Sequence, residues 1–151
     1  MTGLGAVKAL HLLGAAIWVG GMFFALLVLR PSLAVLEPQQ RLALHGQVFR
    51  RFFLIIWHAM PIVILTGYGL LFLGFGGFKG TPWTVHVMHL TGLVMAVIFA
   101  VIFFGPWAAL RAALTSDDRA TAAASVDRIR KLITVNLALG LATIVVAGLG
   151  A

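Results

Sequence analysis

Four imidazoles fall inside strongly apolar stretches of this 151-residue chain: His11, His58, His86 and His89. An ionisable side chain in a bilayer core is costly, and a functional site is the default reason for one to be there. Imidazole nitrogens are ligands for transition metals and for haem iron. His11, His86 and His89 are expected near one level of the membrane, on one side. Two of them facing each other, His11 and His89, suit a haem b whose iron takes one axial ligand from each face of the porphyrin. All three together suit copper.

The helix rise of about 1.5 Å per residue sets the levels, and places His11 and His89 each about 6–10 Å below the membrane boundary. His86 and His89, three apart, share a helix face. Gly14 and Gly92 each follow a histidine by three, leaving room for a close neighbour on that face. His86-Val87-Met88-His89 and His58-Ala59-Met60 set thioethers beside imidazoles in sequence, a soft combination for Cu(I). On a helix, however, Met88 is expected to point away from the His86/His89 face. His58 lies about 9 Å from the opposite boundary. Met22 and Asn136 are expected near that level, so Met22 with His58 makes a second candidate ligand pair. His45 falls in a polar stretch and reads as a solvated or headgroup residue.

The elements that must position these residues are membrane spans. The chain is 62% hydrophobic and 10% charged, far below the usual quarter of charged residues in a soluble domain. Four apolar runs, about 7–29, 52–75, 84–107 and 132–150, are each long enough to cross a bilayer. They use up a single integral membrane domain over 1–151 and leave no room for a soluble catalytic domain. The absence of cysteine excludes disulfides, thiolate metal sites and cysteine-bound iron–sulfur clusters. The formal net charge of +7 reads as topology rather than as a nucleic-acid footprint. Nine cations (Arg30, Arg41, Arg50, Arg51, Arg111, Arg119, Arg128, Arg130, Lys131) flank the first and third connections, against Lys8 and Lys79 at the other end. The positive-inside rule then puts both termini outside and the basic connections in the cytoplasm. The 36–51 stretch reads as a helical extension of the second span starting near Pro38, and Ser116-Asp117-Asp118 as a helix-start signal.

The segment Ala9-Leu10-His11-Leu12-Leu13-Gly14-Ala15-Ala16-Ile17-Trp18-Val19-Gly20-Gly21 resembles the H-x6-W-x-G-G element of bacterial CopD-type membrane proteins. Phe49-Arg50-Arg51-Phe52 with Leu65-Thr66-Gly67 is similar to that family's R-F…T-G pattern in the next helix. The resemblance implies copper resistance or uptake at the bacterial inner membrane. The first span also resembles the HemJ-type protoporphyrinogen oxidases, small haem-binding membrane proteins, in Lys8-Ala9-Leu10-His11 with a tryptophan seven residues on. Met88 stands where those proteins carry lysine. Both resemblances imply that His11 touches a cofactor.

The expectation is therefore an all-α, four-helix, up-down transmembrane bundle in a bacterial inner (cytoplasmic) membrane. Its first reading is a haem b redox protein, an oxidoreductase passing electrons between a membrane quinone or porphyrin and an outer-side partner. His11 and His89 would be the axial ligands and His86 a neighbour. The alternative is a CopD-like copper protein with His11, His86 and His89 as outer site and Met22 with His58 as inner relay. A non-catalytic assembly subunit is the third reading. The lipid bilayer is the one certain partner; nucleic acid is not expected, and a homodimer suits a bundle of this size.

Overall fold

The computed structural model describes residues 3–150. Four long helices account for nearly all of them: α1 (Gly3–Val35), α2 (Pro38–Phe75), α3 (Trp83–Thr115) and α4 (Arg119–Leu149). Each is long and apolar enough to cross a membrane. The described residues hold no strand. This is the expected all-helical, four-span architecture.

Local chemistry sets the helix ends. At the start of α2 the Glu37 backbone N–H donates to Gln40 Oε1 at 3.0 Å, and the Glu37 side chain accepts a backbone N–H in return. Pro38 occupies the first turn, where its missing N–H costs nothing. Gly76, at φ 74°, ends α2 in the left-handed conformation that glycine adopts without strain. Asp118 caps α4 by accepting the Thr121 N–H at 3.1 Å. The Ser116-Asp117-Asp118 signal is thus realised through its last residue.

Two prolines that break the apolar pattern do not break the helix. The first apolar run ends near Leu29, and α1 continues as helix past Arg30-Pro31 to Val35. A wider π turn over Ala25–Leu29 precedes Pro31, and another over Phe103–Trp107 contains Pro106. Such turns re-route the ladder where proline supplies no donor.

Helices α1 and α2 pack as one hairpin and α3 and α4 as another. The hairpins meet where α4 touches α1 and α2 and where α3 touches α2, whereas α1 and α3 lie diagonally. Packing is tightest toward the basic connections. There Phe53 and Trp107 (5.4 Å, 75°), Phe53 and Phe99 (5.8 Å, 64°) and Trp57 and Phe103 (5.2 Å, 88°) interlock edge to face. Ile56, Leu110 and Ile129 complete a fully buried floor. The outer faces carry large apolar side chains such as Leu65, Leu73, Leu90 and Phe104, the surface a hydrocarbon solvent requires. Toward the opposite end the hairpins part and leave a cavity.

Candidate metal centre

His11 projects from α1 onto α2. Its Nδ1 lies 2.9 Å from the Val63 carbonyl oxygen and 3.1 Å from Thr66 Oγ1. A carbonyl only accepts, so Nδ1 carries the proton and donates to it. The lone pair is left on Nε2, the arrangement found in metal-bound histidines. Gly67 makes the approach possible: a Cβ there would come within 3.2 Å of His11 Cε1. Thr66 donates its own hydroxyl hydrogen to the Ile62 carbonyl, so its oxygen remains free to accept.

His89 projects from α3 toward the same helix. Tyr68 Oη lies 3.1 Å from His89 Nε2, and the two rings meet edge to face at 5.3 Å. Phe78, in the connection between α2 and α3, stacks on His89 at 5.0 Å and 27°. Thr66, Gly67 and Tyr68 therefore form one platform on α2 that seats both histidines. The small-polar patch Thr66-Gly67-Tyr68-Gly69 thus both lets helices approach closely and orients the candidate ligands. Depth arithmetic places the patch at the right level, since α2 runs back toward the His11 level and reaches it near these residues, but it does not report the contacts themselves.

One cavity of about 280 Å³ lies between the four helices, with His11, Tyr68, Met88, His89 and Met95 in its lining. His11 and His89 thus both line this cavity. The remaining candidates are placed differently. His86 is exposed, its Nε2 3.1 Å from Thr81 Oγ1 and its ring stacked on Phe78 at 5.8 Å. It does not line the cavity. Met88, expected to point away, does line it. The reason is rotation: the arc of α3 turned inward runs from Met95 and Met88 through Val85, Gly92 and His89 to Leu93 at its edge. His86 falls beyond that edge. Among the described residues no three His, Cys, Asp or Glu side chains gather as a metal site, so the His11, His86, His89 triad does not form.

Met22 is 1% exposed in the buried core. His58 is exposed, its Nδ1 2.8 Å from the Leu54 carbonyl of its own helix. The suggested Met22/His58 pair is therefore split between two settings. The glycines divide as well. Gly14 serves helix packing, since a Cβ there would sit 2.7 Å from Val63 Cγ2, whereas Gly92 opens onto the cavity with nothing within 4 Å.

Two imidazoles and two thioethers around one space are soft-to-borderline donors of the kind Cu(I) takes. The cavity, about 280 Å³, is smaller than the roughly 300–1,000 Å³ of ordinary small-molecule pockets, and the Tyr68 hydroxyl lies on His89 Nε2, a contact that any metal bound there would displace.

None of the curated proteins or solved structures compared with the chain gives a significant match. A family model does match, that of copper resistance protein D, CopD, over residues 46–149. The match takes in most of α2 and all of α3 and α4, with His89 and the Thr66–Tyr68 platform inside it; the His11 motif lies upstream. Covering well over half of the sequence, the match shows that the chain belongs to the CopD family.

Proposed function

We propose that this protein handles copper in a bacterial inner membrane, taking Cu(I) as cargo into the cavity between the two hairpins. The observation that carries this reading is the shared lining of His11, His89, Met88 and Met95 in a chain of the CopD family. His11 Nε2 is the first donor, held in place by the Val63 and Thr66 contacts behind it. His89 is the second, with the Tyr68 hydroxyl yielding its Nε2 or leaving Nδ1 to bind. Met95 belongs to the cavity lining and also to the buried cluster that contains Met22 and Met60. Thioethers thus continue from the cavity toward the basic end, and Met22 serves as the inner step of a copper path. His58 and His86 have no part in it.

Copper-edge X-ray absorption on the full chain loaded with Cu(I) in detergent tests this. The expected spectrum holds both nitrogen and sulfur neighbours, with the sulfur component reduced in a Met88→Leu, Met95→Leu double variant. A spectrum with oxygen neighbours alone, or one unchanged by the double variant, overturns it.

A second reading keeps the same pair of histidines for haem b in a redox protein using a quinone or porphyrin. Its one supporting observation is that His11 and His89 line a common cavity. It requires the hairpins to separate further to admit a macrocycle. A Soret band in the purified protein would favour it.

A further inference from the structure

At the basic end of the bundle, remote from the histidine cavity, a second pocket of about 420 Å³ lies between α1, α2 and α4. Three guanidinium groups from three helices converge on it: Arg30 from α1, Arg41 from α2 and Arg130 from α4. One carboxylate, Asp127, also lines it. That carboxylate is already engaged, by Arg130 Nη2 at 2.6 Å and by Lys131 Nζ at 2.9 Å. Arg41 spends Nε and one Nη on the Ala34 and Leu36 carbonyls at the end of α1, which holds its remaining donors in place. Among the described residues, Arg30 has no side-chain hydrogen bond or ion pair. His45 completes the wall. Its ring stacks on Phe49 at 5.3 Å and 26°, and its buried Nδ1 has no hydrogen-bond partner. Arg30 without a partner, the remaining Arg41 donors and the unsatisfied His45 ring nitrogen all face one space, which an anion would complete.

We propose that this pocket binds a phosphate group, with Arg30 and Arg41 as its principal donors and the His45 ring at its inner wall. Guanidinium groups match phosphate oxygens in bidentate fashion. Three arginines against one committed carboxylate leave the pocket a net attractor of anions. Arg30 marks the end of the first apolar run, the level at which headgroups of anionic lipids lie. A phosphodiester headgroup is one source of the group and phosphate from solution is the other.

Native mass spectrometry and thermal unfolding of the full chain test the site. Phosphatidylglycerol, phosphatidylcholine and inorganic phosphate are supplied separately. Arg30→Gln is the primary variant because its side chain supports no other contact. His45→Phe is the second, keeping the stack on Phe49 while removing both ring nitrogens. Arg128→Gln, on the same helix as Arg130 but outside the pocket, controls for surface charge. We expect phosphatidylglycerol to be retained over phosphatidylcholine. Its affinity should fall about tenfold in Arg30→Gln and about threefold in His45→Phe, with no change in Arg128→Gln. The same pattern with inorganic phosphate alone also supports the site and assigns its ligand to solution. Equal retention of the two lipids without any phosphate effect overturns the proposal, as do equal losses in Arg30→Gln and Arg128→Gln.

Discussion

Replacing Gly67 with alanine probes the His11 seat with a single methyl group. A Cβ at this position would lie 3.2 Å from Cε1 and 3.6 Å from Nδ1 of His11. Relaxing the tighter contact to an ordinary separation of about 3.5 Å moves the ring about 0.3 Å away from α2. Both acceptors of His11 Nδ1 belong to α2, so this motion lengthens both contacts. From 2.9 and 3.1 Å they grow to about 3.2 and 3.4 Å, the weak end of the hydrogen-bond range. The loss is about 0.5–1.5 kcal/mol. Alanine in place of a mid-helix glycine returns about 0.8–1 kcal/mol through helix propensity. Overall stability should therefore change by less than about 1 kcal/mol. Copper binding has no such offset. Losing an orienting bond behind a metal-binding histidine typically costs about 10–100-fold in affinity, so weakening one should cost about three- to tenfold. Anaerobic Cu(I) titration against a chromophoric chelator, beside thermal unfolding, measures both. Gly20→Ala is the control, because its Cβ meets nothing within 4 Å and it does not line the cavity. The reasoning is refuted if Gly67→Ala binds Cu(I) as tightly as the parent, or if Gly20→Ala loses as much.

Tyr68→Phe removes the hydroxyl 3.1 Å from His89 Nε2; Cu(I) affinity should change by about tenfold with the fold intact, read by the same titration. Asn136 is 1% exposed, donates to the Met95 carbonyl at 3.3 Å and leaves its Oδ1 without a partner. Asn136→Leu should therefore alter unfolding stability by less than about 1 kcal/mol, with either sign, and a loss of several kcal/mol would show that Asn136 has a role beyond this contact. The Asp118 carboxyl is held below its usual 3.8 by the hydrogen bond from Thr121. A lowered folded-state value means that the cap stabilises the protein above the unfolded-state value and is lost as pH falls through the folded one. Asp118→Asn should flatten the part of the acid-unfolding profile below pH 3.8, and an unchanged profile would remove the cap from the account.

Much of the architecture was legible in the sequence because it rests on one-dimensional signals. Run length gave the four spans, Pro38 and Ser116-Asp117-Asp118 gave helix starts, and the arginines marked one end of the bundle. Depth was legible too, since counting residues along a helix gives height directly. That is why His11 and His89 were expected together and are found lining one cavity. Rotation about the helix axis was not legible. These spans are apolar nearly all round, as helices in lipid can be, so no polar face reveals which side turns inward. The error at Met88 and His86 follows from that: the face the two histidines share is not the face α3 turns to its neighbours. The continuation of α1 past the apolar run was not legible for a different reason. A proline usually ends a helix, but a π turn before Pro31 absorbs the missing donor and lets α1 continue. The role of Tyr68 was hidden because its partner His89 lies on another helix, and no spacing within one helix reports a contact between two.

The central claim is that His11 and His89 together hold copper. The most direct measurement is the copper content and visible spectrum of the full-length protein purified from copper-replete, haem-replete cells, beside His11→Ala and His89→Ala. The account expects a colourless protein that carries copper, with the metal lost in each variant. Copper retained by both variants, or a red protein with a Soret band and no copper, would contradict it.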